Sequence, residues 1–149
     1  MENKAEFYFQ QADQELTFFR SLKSEMNVLT TRKIVRIVRV VLSSVAKNLS
    51  TKQISEVAIK LPYTLRMIFM NCWSPDHSQK STIHLDELVE DVCNEKLKKG
   101  VLCTNEVDAL KYILIVIKNL KIVFDKIGVS IFPYSIISEY EQAVKEGAV

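Results

Sequence analysis

Three glycines and three prolines are all that 149 residues contain. Glycine supplies left-handed backbone and proline a fixed φ, so reversals of the chain lean on these two residues. Sandwiches, barrels and doubly wound sheets need a turn every few residues, whereas long helices need few. The scarcity therefore predicts an all-α fold, a multi-helix bundle of about six to seven helices by hydrophobic periodicity. The length suits a single domain over residues 1–149 with one core. Hydrophobic residues at 48% and charged residues at 26% favour a packed core over disorder.

The periodicity gives the helices in order. Residues 5–25 form a first helix, with Phe9, Ala12, Leu16, Phe19 and Leu22 on one face and Phe7, Tyr8 and Phe18 widening it. Residues 31–48 form a second, with Ile34, Val38, Val41, Leu42, Val45 and Leu49 inward. Its density of β-branched residues would also suit a strand. However, Arg32, Arg36, Arg39, Ser43 and Lys47 fall on one face at helical spacing rather than alternating with a period of two. Ser50-Thr51-Lys52-Gln53 has the form of a capping box and starts a third helix carrying Ile54, Val57, Ala58 and Leu61. Pro62 ends it and opens a short fourth helix, with Leu65, Ile68, Phe69 and Cys72 inward.

Residues 73–81 read as the one long loop. A fifth helix, capped by Ser81 or Thr82 and stopped by Gly100, carries Leu85, Leu88, Val89 and Val92. Thr104 caps a sixth helix running to Gly128, with Val107, Leu110, Leu114, Ile117 and Phe124 as its stripe. The run Ile113–Ile117 is apolar on nearly all sides, so this helix is expected at the centre of the bundle. Pro133 opens a last helix bearing Ile136, Ile137 and Tyr140.

The two halves resemble each other. Thr30-Thr31, a long apolar helix and Leu61-Pro62-Tyr63 are echoed by Thr104, a long apolar helix and Phe132-Pro133-Tyr134. An amphipathic helix precedes each long one. This self-similarity predicts an internal duplication, with pseudo-repeats over residues 5–72 and 82–146.

The stretch from Leu61 to Pro75 carries a more specific pattern: Leu61-Pro62, two residues, Leu65-Arg66, then Phe69, Cys72-Trp73 and Pro75. It resembles the signature of a bacterial helical family known as domain of unknown function 2267. Most of the chain, from Gln10 to Tyr140, is compatible with that family. Two departures stand out. Cys72 replaces the usual glycine, and the second Leu-Pro step reads Phe132-Pro133. The resemblance implies an all-helical domain with internal repetition, in which Leu61, Pro62, Leu65, Arg66 and Trp73 are structural. It implies no activity.

Chemical motifs are sparse. His77, His84 and the cysteines Cys72, Cys93 and Cys103 show no paired metal-ligand spacing. His77 and His84 read as solvated or capping side chains. No Gly-x-Ser-x-Gly elbow is present, and Cys72 reads as a core residue. The carboxylates Asp86, Glu87, Glu90 and Asp91 sit where a helix N-terminus favours negative charge. Gly100, Gly128 and Gly147 are isolated, so no phosphate-cradling loop is encoded. The sequence thus predicts no catalytic residues, no cofactor and no metal. Trp73 reads as a core plug, and Arg66 as a partner for a helix C-terminus or a carboxylate.

Charge singles out one surface. From Met26 to Arg66 the chain carries Arg32, Lys33, Arg36, Arg39, Lys47, Lys52, Lys60 and Arg66 against Glu56 alone. Arg32, Arg36, Arg39 and Lys47 are the candidate interaction face. The net charge of +2 is too small to demand a polyanion. The basic face is therefore expected to be solvated or paired with the acidic residues 86–91. No apolar run approaches the roughly 20 residues of a membrane span. The polar N-terminus lacks the features of a signal peptide, and three scattered cysteines suit a reducing cytoplasm. The expected function is a non-catalytic, cytoplasmic module that binds a protein partner or itself. The alternative is nucleic-acid contact through phosphates on the basic face.

Overall fold

A computed structural model describes residues 4–72, 84–97, 100–103 and 105–147. Helices α1 (Lys4–Glu25), α2 (Thr31–Ala46), α3 (Thr51–Ala58) and α4 (Tyr63–Cys72) make up the first half. The second half contains α5 (Leu85–Asn94), the two-residue strands β1 (Lys96–Leu97) and β2 (Gly100–Val101), then α6 (Glu106–Ile127) and α7 (Tyr134–Lys145). The strands pair as a minimal antiparallel hairpin. The fold is an all-α multi-helix bundle, as the shortage of turn residues predicts.

Several local signals act where the sequence places them. Thr30 Oγ1 accepts from Lys33 N at 3.3 Å and starts α2. The capping box before α3 is complete: Ser50 Oγ accepts from Gln53 N at 3.2 Å, and Gln53 Oε1 accepts from Ser50 N at 2.9 Å. Pro62 precedes α4 and Pro133 precedes α7. Gly128 closes α6 in the left-handed conformation, φ 70°, where a side chain would be strained.

The central helices are α2 and α6, which touch each other. Helix α2 buries nine residues, among them Ile34, Ile37, Val38, Val41 and Leu42. Helix α6 buries the unbroken run Ile113–Ile117, so it is as central as its composition predicts. Each such aliphatic side chain withdrawn from water contributes about 1.5–3 kcal/mol. Of the outer helices, α1 packs mainly against α6, and α5 packs against both α6 and α2.

Five local expectations are corrected. The inward line of α1 runs through Phe18, Leu22 and Met26, with Phe19 half-buried, while Ala12 and Leu16 face solvent. Helix α1 is apolar on more than one side, and contact with α6 and α4 selects the side that also carries Glu15. Helix α5 starts at Leu85 with His84 as its cap; Ser81 and Thr82 lie outside the described residues. It ends at Asn94, well before Gly100. The chain turns extended at Glu95, ψ 123°, and Gly100, φ 97°, serves the hairpin instead. That exit brings Leu102 and Cys103 into the core. Asn105 caps α6 in place of Thr104, its Oδ1 accepting from Asp108 N at 2.8 Å. Val107, placed in the inward stripe by periodicity, is exposed.

Candidate functional surfaces

The basic face forms one wall of a cleft of about 490 Å³ between α2 and the end of α5. Arg36, Arg39, Ser43 and Lys47 line the α2 wall, Asp91 and Glu95 the opposite one, and Asn71 of α4 closes an end. Arg36 Nε donates to Glu95 Oε1 at 2.6 Å. Both side chains keep about a third of their exposure, so solvent screening holds this pair to roughly 0.2–1 kcal/mol. Ser44, buried, donates through Oγ to Asp91 Oδ2 at 2.7 Å. Carboxylates of α5 and its exit therefore meet this face, Glu95 pairing with Arg36 and Asp91 accepting from Ser44. Arg32 is exposed on the first turn of α2, outside the cleft lining.

The family-signature residues build a helix corner. Leu61, Pro62 and Leu65 are buried. Arg66 Nη2 donates to the carbonyls of Leu61 at 3.0 Å and Ile59 at 3.3 Å. A guanidinium is thus set on carbonyls just past the end of α3, where orphan acceptors accumulate. Pro62 lacks both an N–H and a polar side chain to cap α4, and Glu15 of α1 fills the gap. Its Oε1 accepts from Thr64 N at 2.5 Å and Leu65 N at 3.2 Å. Trp73 and His77 lie outside the described residues.

His84 occupies the N-cap position of α5, but its imidazole makes no capping bond and instead takes a partner from another element. Its N–H donates to Glu87 Oε1 at 3.1 Å, and its Nδ1 lies 2.6 Å from Glu139 Oε1 of α7. Glu139 Oε2 also accepts from Leu85 N at 2.9 Å. The hydrogen bond to Glu139 raises the His84 pKa above its ordinary 6.5, with further attraction from Glu139, Asp86 and Glu87. A raised folded-state pKa gives stabilisation that is full below the unfolded value and lost as pH rises through the folded one. The melting-temperature gap between wild type and His84→Ala should therefore be widest below about pH 6.5 and narrow on the alkaline side. A gap that stays constant from about pH 5.5 to about pH 9 would show that the imidazolium contributes nothing.

Periodicity passes over two further surfaces. On α4, Tyr63, Met67 and Met70 stand at i, i+4 and i+7, with exposures of 70%, 43% and 46%. They lie opposite the buried Leu65 and Phe69. The second surface is a groove of about 760 Å³ where α5, α6 and α7 meet. Leu85, Val89, Val107, Leu110 and Ala143 are among its lining residues, together with Asp86, Glu90 and Glu106. Cys93 lies in it half-buried, and burial, then Glu106, push its thiol pKa up. Among the described residues no group of three or more His, Cys, Asp or Glu side chains is placed to hold a metal, and no helix is long and apolar enough to cross a membrane.

A bundle of seven described helices, with paired charges at its polar cleft and apolar side chains left on α4 and between α5 and α7, defines an all-α domain. The chain belongs to the family described as uncharacterized conserved protein (DUF2267), whose model matches residues 16–120, from α1 to late α6. The signature corner around Pro62 lies inside that match. No curated protein matches the chain.

Proposed function

We propose that this chain is a non-catalytic helical module that associates with a second copy of itself through the outward face of α4. The observation that carries this reading is the Tyr63–Met67–Met70 stripe. Tyrosine and methionine are enriched at interfaces, and a stripe at this spacing is how one helix presents itself to another. The outward arc, completed by Thr64 and Asn71, bears no charge, and the neighbouring Arg66 is directed to the α3 carbonyls. Two copies related by a two-fold axis would bring like faces together with no like-charge penalty. Antiparallel α4 helices also oppose their dipoles.

Sedimentation equilibrium tests it. The wild type should show a reversible monomer–dimer equilibrium. Met67→Glu/Met70→Glu should be monomeric with an unchanged helical circular dichroism spectrum. A wild type that stays monomeric up to millimolar concentration, or a double variant that still dimerises, would sink the proposal.

The non-catalytic part rests on how the polar groups are engaged. Glu15 and Glu139 accept from helix N-termini, Glu25 pairs with Lys118, and Cys93 is held away from its thiolate form. Cys93 and Cys103 are thiols rather than halves of a disulfide, which supports a cytoplasmic setting. The phosphate-contact alternative weighs less, because Glu95 already engages Arg36 and Asp91 shares the cleft, where both would repel a polyanion. The internal duplication is supported by Ser44 and Asn119, the two buried polar side chains among the described residues, each the fourteenth residue of its central helix. Each also bonds a carboxylate on an outer helix of the other half, Asp91 and Glu25 respectively.

A further inference from the structure

The groove between α5, α6 and α7 has a composition unlike that of the α4 stripe. Leu85, Val89 and Cys93 follow one another at i, i+4 and i+8 along α5, a line about 12 Å long at the helical rise. Val107 and Leu110 of α6 face it from the other side, and Ala143 of α7 contributes a small side chain. The groove is therefore long enough for about two turns of a helix laid along it. Val107 is 78% exposed although periodicity assigns it to the core side of α6, so a large apolar side chain is left uncovered beside the groove. The charged residues in the lining are Asp86, Glu90 and Glu106, all acidic, and none of the described lining residues is basic. Glu106 also sits in the first turn of α6 and Asp86 in the first turn of α5, where the helix ends favour them as carboxylates.

We infer that this groove is a docking site for a basic amphipathic helix of a partner protein. The apolar face of such a helix, with residues at i, i+3, i+4 and i+7, would cover Val89, Val107 and Leu110. Lysines or arginines flanking that face would meet Asp86, Glu90 and Glu106. A second copy of this chain is a poor occupant. Its helix with the most basic residues in one row, α2, has its apolar side buried in its own core. An anionic membrane surface is a poor one too, because the three carboxylates would repel it.

The probe is a synthetic helix of about five turns built from Leu and Lys in amphipathic order, labelled and followed by fluorescence anisotropy with the full chain. Two control peptides accompany it, one with every Lys replaced by Glu and one with the Leu/Lys order scrambled. The Leu/Lys helix should bind and both controls should not. Val107→Ser and Val89→Ser should each weaken binding several-fold, with circular dichroism confirming that the fold survives. The charge-reversed variant Asp86→Lys/Glu90→Lys/Glu106→Lys should lose the Leu/Lys helix and gain the Leu/Glu one. Met67→Glu/Met70→Glu should bind the Leu/Lys helix as the wild type does, which separates this site from the α4 face. Four outcomes would each overturn the inference: no binding, equal binding of the scrambled peptide, indifference to Val107→Ser, or retention of the Leu/Lys helix by the charge-reversed variant.

Discussion

Phe69→Ala should cost about 3–5 kcal/mol of folding free energy, the range for deleting a fully buried aromatic side chain. Phe69 has no exposed surface and is among the largest side chains wholly inside the bundle. It lies on the inner face of α4, one turn from Leu65, where that helix packs on α2 and α1. A single domain has only about 5–15 kcal/mol of net stability, so this one change removes a large share of it. Met67 sits on the same helix two residues earlier but points outward, and Met67→Ala should shift monomer stability by less than about 0.5 kcal/mol. Urea unfolding of both variants at low micromolar concentration would check the contrast. Similar losses from the two substitutions would mean that α4 is rotated from the orientation described.

Glu15→Ala should destabilise by about 1–2 kcal/mol, the upper part of the range for losing a helix N-cap. The carboxylate accepts from two N–H groups in the first turn of α4, and Pro62 leaves that turn with no cap from its own neighbours. Removing the acceptor strands both donors in a partly buried corner, where unsatisfied N–H groups are costly. Glu15→Gln keeps one acceptor oxygen but loses the charge that favours a helix N-terminus, so it should fall between wild type and alanine. Equal stability for all three proteins in denaturant titration would show that water satisfies α4 without Glu15.

The candidate surfaces were legible to different degrees. The basic row Arg32, Arg36, Arg39 and Lys47 is visible in the sequence because helical spacing is a local property. That Glu95 engages Arg36 is not, since the two residues are 59 apart and meet only through the exit of α5. Glu15 reads as an ordinary surface carboxylate of an amphipathic helix, yet it reaches across 49 positions to Thr64. The groove is hidden for the opposite reason. Val107 continues the apolar periodicity of α6, yet packing leaves it 78% exposed.

What the sequence determined by itself are the features written within a few turns of chain. Periodicity set the number and type of helices. Ser50 and Gln53 set the start of α3, Pro62 the break before α4, and Gly128 the end of α6. These depend on bonds between residues three or four apart, so their energetics are decided before any helix meets another. Only the tertiary structure decided which side of α1 turned inward, that α5 stops at Asn94, that His84 pairs with Glu139, and that Ser44 and Asn119 find carboxylates on opposite halves. Apart from the α5 stop, which the hairpin after it sets, each of those rests on contacts between residues 47 to 94 apart, or on which face a neighbour covers. Such choices arise from packing a shared core, where burying one apolar side of a helix outweighs another by a margin that its own sequence does not contain.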